Sequence, residues 1–110
     1  RKPFGQTVFD FQNTQFKLAE MTAEVEAGRP FMDRCIELHT KGECSMYLAA
    51  KAKLWTTELA DRVLDDCLQL HGGYGYVWEF PIARAWADAR VDRIYAGTNE
   101  VMKYIIAKSL

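Results

Sequence analysis

The apolar residues of this chain recur at intervals of three and four, and that spacing restricts most of it to helix. Phe16, Ala19, Ala23, Ala27, Phe31, Cys35 and Leu38 form one stripe, and Phe11, Leu18, Val25, Met32 and Ile36 form a second beside it. Two adjacent stripes cover more than half of a helix circumference, which predicts a long helix from about Phe9 that sits inside a bundle. Gly28 and Pro30 conflict with this, because an internal proline costs roughly 3 kcal/mol and removes a hydrogen bond. The expectation is a kink there, or two helices meeting. Lys41-Gly42 is a break, and a second long helix is expected from about Glu43 to His71, with Leu48, Ala52, Trp55, Leu59, Val63, Cys67 and Leu70 on its apolar line. Gly72-Gly73 ends it, since glycine suits the left-handed turn at a helix C-terminus. Pro81 opens a third helix, with Ile82, Trp86 and Ala89 turned inward and Arg84 paired with Asp88 outside. Thr98 caps a last helix running to about Leu110, with Val101, Met102, Ile105 and Ile106 apolar. No segment alternates with period two. The predicted fold class is all-α: an antiparallel helical bundle of two long and two shorter helices.

The chain has 110 residues, which suits one domain spanning 1–110 and is too short for two. At 49% hydrophobic it has material for a core, which excludes disorder. No apolar run approaches the ~18 residues of a membrane span. Fourteen Lys and Arg against fifteen Asp and Glu leave a net charge of -1, without the basic excess that non-specific nucleic-acid binding needs. Cys35, Cys44 and Cys67 form no C-x-x-C and each falls in a helix-like stretch. They read as reduced, buried, small apolar residues, as in a reducing compartment. The chain starts at Arg1, without Met, in a charged phrase, so it is expected to be a piece of a longer protein.

Candidate chemistry is sparse when each motif is taken alone. His39 and His71 lie far apart without ligand-spaced partners, and the Glu-x-x-His pair of di-iron bundles is absent. They read as helix-end residues near exposed carbonyls. Ser45 and Ser109 lack a glycine elbow. Gln69-Leu70-His71-Gly72-Gly73-Tyr74-Gly75-Tyr76 is a helix end where glycines let a ligand approach the backbone and aromatic rings can pack on something flat. No strand precedes it, so it is not a Rossmann phosphate loop. Gly97-Thr98-Asn99-Glu100 stands at a helix N-terminus. That position offers free N–H groups to an anion, or simple capping by Thr98 with Glu100 complementing the dipole.

Together these segments say more. Arg1-x-x-Phe4-Gly5, Phe11-Gln12 and Phe16-x-Leu18-Ala19-x-Met21 resemble the opening of the C-terminal helical domain of the acyl-CoA dehydrogenases. Gln69-x-x-Gly72-Gly73-x-Gly75-Tyr76 is similar to that family's second signature. Pro81-x-x-Arg84, Asp88-Ala89-Arg90 and Ile94-Tyr95-x-Gly97-Thr98-x-Glu100 resemble its third, most closely the long-chain branch. Order and spacing agree over essentially the whole chain.

The resemblance implies a flavoprotein oxidoreductase of fatty acid metabolism that carries FAD. It oxidises an acyl-CoA thioester to the 2,3-enoyl form: a base removes the α-proton and the flavin takes the β-hydride. It implies electron transfer to an electron-transferring flavoprotein, a homotetramer with this bundle at its centre, and N-terminal helical and β domains that are absent here. The compartment would be a bacterial cytoplasm or a mitochondrial matrix. Carried over by position, Arg1 meets the FAD pyrophosphate of a neighbouring subunit, with Phe4 beside it and Gln12 also reaching that FAD; a forked guanidinium suits phosphate oxygens. Gln69, Gly72, Gly73 and Gly75 hold the adenine end across the same boundary. Thr98, Asn99 and Glu100 contact FAD within the subunit, and Ala96 and Gly97 border the substrate thioester.

One position departs from the family's common pattern. Ala96 occupies the place where many members carry the glutamate base, and a methyl group cannot take a proton. Glu100 lies a turn further on, at a cofactor position. Either the base sits on an earlier helix upstream of Arg1, as in the long-chain and isovaleryl branches, or the parent has lost it. In both cases no catalytic residue lies in these 110 residues, and the isolated chain is expected to be inactive and prone to self-association. Two other readings remain at this level: a non-catalytic oligomerisation or interaction bundle, and a family relative such as an acyl-CoA oxidase.

Overall fold

The computed structural model describes residues 2–110. Two 3-10 turns, Pro3–Gly5 and Val8–Asp10, lead into α1, Gln12–Thr40, and α2 follows at Met46–His71. A 3-10 turn, Gly72–Tyr76, leads on to α3, Pro81–Ala89, and another, Arg90–Arg93, precedes α4, Asn99–Ala107. There is no strand among the described residues, and two long and two short helices are present as the spacing predicts. No described helix is long and apolar enough to cross a membrane.

α2 is the hub. It packs against α1, α3, α4 and both later 3-10 turns, and the molecule is elongated, 54 × 25 × 25 Å. Ser45 starts α2 by accepting a hydrogen bond from the Leu48 N–H at 3.0 Å, so the helix begins three residues later than the apolar pattern suggests. Cys44 consequently lies in the connecting loop rather than in a helix. All three cysteines are free, and only Cys35 is buried. Across the α1–α2 hairpin, Lys17 pairs with Asp66 at 3.5 Å and Glu24 pairs with Arg62.

The inward line of α1 shares only Cys35 with the expected stripes. Its buried residues are Thr14, Met21, Gly28 and Cys35, spaced by seven as on a coiled-coil seam. Phe16, Ala19, Ala23 and Ala27 are exposed. The helix also runs unbroken through Pro30, so the two-helix expectation is not met. Glu26 and Pro30 both lie on the exposed side, where the carbonyl that loses its partner can be hydrated. Gly28 faces Trp55: an added Cβ would fall 2.5 Å from the indole ring, and that ring also meets Phe31 edge-on at 6.4 Å.

α3 starts at Pro81, as expected, but its buried residue is Ala83 rather than Trp86. Trp86 stays at the rim because its indole N–H donates to Asp65 at 3.0 Å, holding α3 on α2 from outside. Arg84 and Asp88 make no ion pair: both are exposed, where such a pair contributes little against side-chain entropy. Thr98 caps α4 by accepting from the Val101 N–H at 3.2 Å, and that helix ends at Ala107 instead of Leu110.

Candidate functional site

The candidate residues fall into two groups at different levels of α2. The first group gathers where α1 begins and α2 ends. Arg1 lies outside the described residues. Phe4 is 95% exposed, takes a left-handed backbone (φ 55°) and sets its ring edge-on to Phe11 at 6.5 Å. Gln12 opens α1 and Gln69 lies in the last turn of α2, both exposed. Gly72 ends α2 with φ 63°, as the paired glycines predict. Gly73 has open space on its Cβ side, whereas Gly75 is buried, and a Cβ there would meet the Leu68 carbonyl oxygen at 2.5 Å. Gly73 therefore leaves room for something outside the chain, and Gly75 lets the turn close on its own helix. Val8, Phe9, Thr14, Leu70 and His71 line one groove, which places the N-terminal segment beside the glycine turn.

The second group is the segment from Tyr95 to Glu100, seated against the middle of α2. Ala96 has φ 55° and Gly97 φ 87°. The left-handed region costs a residue with a Cβ roughly 1–2 kcal/mol, so the surroundings must hold Ala96 there. Lys53 of α2 does so, donating from Nζ to the Tyr95 carbonyl at 3.2 Å and to the Gly97 carbonyl at 2.5 Å. The N–H groups of Ala96, Gly97 and Thr98 have no acceptor among the described residues. Below them Asn99 is 2% exposed. Its amide donates to Thr57 Oγ1 and to Glu58 Oε1, both at 2.9 Å, while its Oδ1 is buried without a partner. Arg93 completes the network, bridging Glu58 at 3.1 Å and Asp61 at 3.2 Å. The Asn99 hydrogen bond, assisted by Arg93, holds the Glu58 carboxyl below its usual range against the opposing effect of burial. Glu58 thus anchors the network, with one carboxylate oxygen on Asn99 and the other on Arg93. Glu100 is exposed in the first turn of α4, and the Ala96 methyl group offers no proton acceptor.

The two groups are separated by the stretch of α2 from Thr57 to Leu70, roughly 20 Å of helix. Sequence reasoning missed Lys53, Thr57, Glu58 and Arg93. Lys53, Thr57 and Asp61 recur every four residues on α2, but polar side chains at that spacing usually mark a solvated face. Only the fold of residues 90–99 back onto α2 gives these residues partners.

The family pattern described as acyl-CoA dehydrogenase, C-terminal domain, matches residues 1–110. The chain belongs to the acyl-CoA dehydrogenase family. It is 50% identical over 110 residues to the mitochondrial long-chain specific acyl-CoA dehydrogenase of Sus scrofa, covering 100% of this chain and 26% of that protein. Among solved structures it is similar to an acyl-CoA dehydrogenase from Geobacillus kaustophilus (TM-score 0.94, 51% identity, 99% of this chain and 29% of that one). It is also similar to the butyryl-CoA dehydrogenase from Megasphaera elsdenii (TM-score 0.92, 37% identity, 99% and 28%). The chain thus spans 26% of the length of the curated long-chain relative, as one domain of an acyl-CoA dehydrogenase does. The family's flavin fits what is present here. The N–H groups at 96–98 have no acceptor among the described residues, and an isoalloxazine or thioester presents carbonyl oxygens to such donors, whereas the unpartnered Asn99 Oδ1 accepts from an N–H or O–H group.

Proposed function

We propose that this chain is the FAD-binding and oligomerisation domain of an acyl-CoA dehydrogenase acting on long-chain thioesters, and that each copy serves two flavins. The carrying observation is the separation of the two residue groups along α2. Thr98, Asn99 and Glu100 would contact the FAD of their own subunit, with Ala96 and Gly97 beside the thioester. Arg1, Phe4, Gln12, Gln69, Gly72, Gly73 and Gly75 would reach the FAD of a neighbour in a homotetramer. Bound there, FAD supplies hydride acceptance from the substrate β-carbon. The chain's own part is to hold: backbone amides of residues 96–98 donate to oxygens, Asn99 braces them from beneath, and the methyl group of Ala96 leaves room for a base brought from another part of the intact protein. Electron-transferring flavoprotein is the proposed electron acceptor, and a mitochondrial matrix or a bacterial cytoplasm the proposed compartment, in keeping with mitochondrial and bacterial relatives.

The test is the visible flavin spectrum of the intact protein, followed by anaerobic addition of a long-chain acyl-CoA. Bleaching of the flavin band is expected. A flavin that stays oxidised across a series of acyl chain lengths would argue for a lost base. A colourless protein would remove FAD from the account and favour the non-catalytic bundle.

A further inference from the structure

Lys53 lies on α2, more than forty residues from the segment it holds, and belongs to none of the motifs that carry the family resemblance. Its ammonium has three donors, and two of them reach the carbonyls that flank Ala96, those of Tyr95 and Gly97. Among the described residues no peptide bond is cis. In a trans peptide the C=O and the following N–H point in opposite directions across one plane. A Tyr95 carbonyl drawn toward Lys53 therefore turns the Ala96 N–H away from α2, and a Gly97 carbonyl drawn the same way turns the Thr98 N–H away. These are two of the amides that have no acceptor among the described residues. The backbone between them is left-handed at both Ala96 and Gly97, a path that a loop would leave readily without an external hold. The hold itself is well founded: Thr57, one turn along α2, donates to the Lys53 carbonyl at 2.7 Å and accepts from Asn99 at 2.9 Å, so Lys53 and the start of α4 share one frame.

We propose that Lys53 is a positioning residue for the dehydrogenation: by fixing the Tyr95 and Gly97 carbonyls on α2, it aims the Ala96 and Thr98 amides at the thioester and flavin. It touches neither, and acts only through the peptide planes. The proposal rests on the dehydrogenase reading above. It adds a requirement that reading does not contain, namely a cation on α2 at position 53.

The experiment uses the intact flavoprotein with Lys53→Met, which keeps the side chain's length and removes its donors, and Lys53→Arg, which restores donors. Two measurements are made: the kcat and KM of acyl-CoA-dependent flavin reduction, and amide hydrogen exchange of the peptide covering residues 94–100. In Lys53→Met, kcat is expected to fall at least about tenfold with KM changed much less, and exchange in 94–100 to quicken about tenfold while peptides of α1 are unchanged. Lys53→Arg is expected to recover a substantial part of both. Unchanged exchange in Lys53→Met overturns the clamp, and this holds even if the wild type reduces no flavin, a result that would count against the dehydrogenase reading instead. Faster exchange with unchanged kcat overturns the positioning role. If Lys53→Met does not accumulate as folded protein, Lys53→Gln takes its place with the same expected split and the same overturning results.

Discussion

A single methyl group added at Gly75 would meet the Leu68 carbonyl oxygen at 2.5 Å, and backbone cannot swing aside as a side-chain tip can. Gly75→Ala should therefore cost about 1–3 kcal/mol of stability, the scale of overpacking, and lower the thermal midpoint of the chain. An unchanged midpoint would mean that the turn relaxes freely. The same substitution at Gly73 meets no atom within 4 Å, so Gly73→Ala should leave the midpoint nearly where it is and affect only what approaches from outside. Of these two neighbours in one motif, one serves the fold and the other leaves space, a distinction invisible in the letters Gly-Gly-x-Gly.

The elements are joined through α2, and the joint between α4 and α2 is polar. Asn99 supplies two donors to Thr57 and Glu58, and Arg93 ties Glu58 and Asp61. Asn99→Ala should cost about 1 kcal/mol by removing two hydrogen bonds to the half-buried Thr57 and Glu58, read as faster amide exchange across α4 than across α1. The network also has a pH signature. The folded-state Glu58 carboxyl lies below its ordinary value, first because of Asn99. Its contribution is therefore fully present above the unfolded-state value of about 4.3 and is lost as pH falls through the folded-state value. Thermal midpoints measured across this acid range should fall less steeply in Asn99→Ala than in the wild type. Parallel slopes would show that Glu58 is not coupled to Asn99. The long helix α1 tells the complementary story. Its heptad of buried residues runs between the two stripes read from the sequence, meeting the first at Cys35, because both stripes are apolar and α2 covers only the seam between them.

Taken whole, the chain leaves many large apolar side chains at its surface. No large side chain among the described residues is fully buried, and Phe16, Val25, Ile36, Trp55, Trp78 and Tyr104 are all substantially exposed. Its accessible surface is 7817 Å² for 12.6 kDa. A compact monomer of that mass would show about 6,200 Å². The excess is about twice the roughly 800 Å² that each partner buries in a standard protein–protein interface. The isolated chain is therefore expected to associate with itself, with a sedimentation coefficient that rises with concentration. A strictly monomeric profile would contradict this. Mixed with FAD and acyl-CoA it should give no enoyl product, because Ala96 cannot accept a proton and both oxygens of the Glu58 carboxylate are taken up by Asn99 and Arg93.

By itself the sequence determined the all-α class, the number of helices, the start of α3 at Pro81, the Gly72 stop and the Thr98 cap. These depend on local backbone preferences and on spacing along one helix. Its motif order also determined the family, since several motifs in register are hard to produce otherwise. Only the tertiary structure decided which apolar stripe turns inward, whether Pro30 breaks α1, and which polar residues of α2 hold the segment from Tyr95 to Asn99. Those outcomes depend on partners far away in the chain. A lysine at position 53 looks like any solvated lysine until residues 95–97 fold back and present their carbonyls to it.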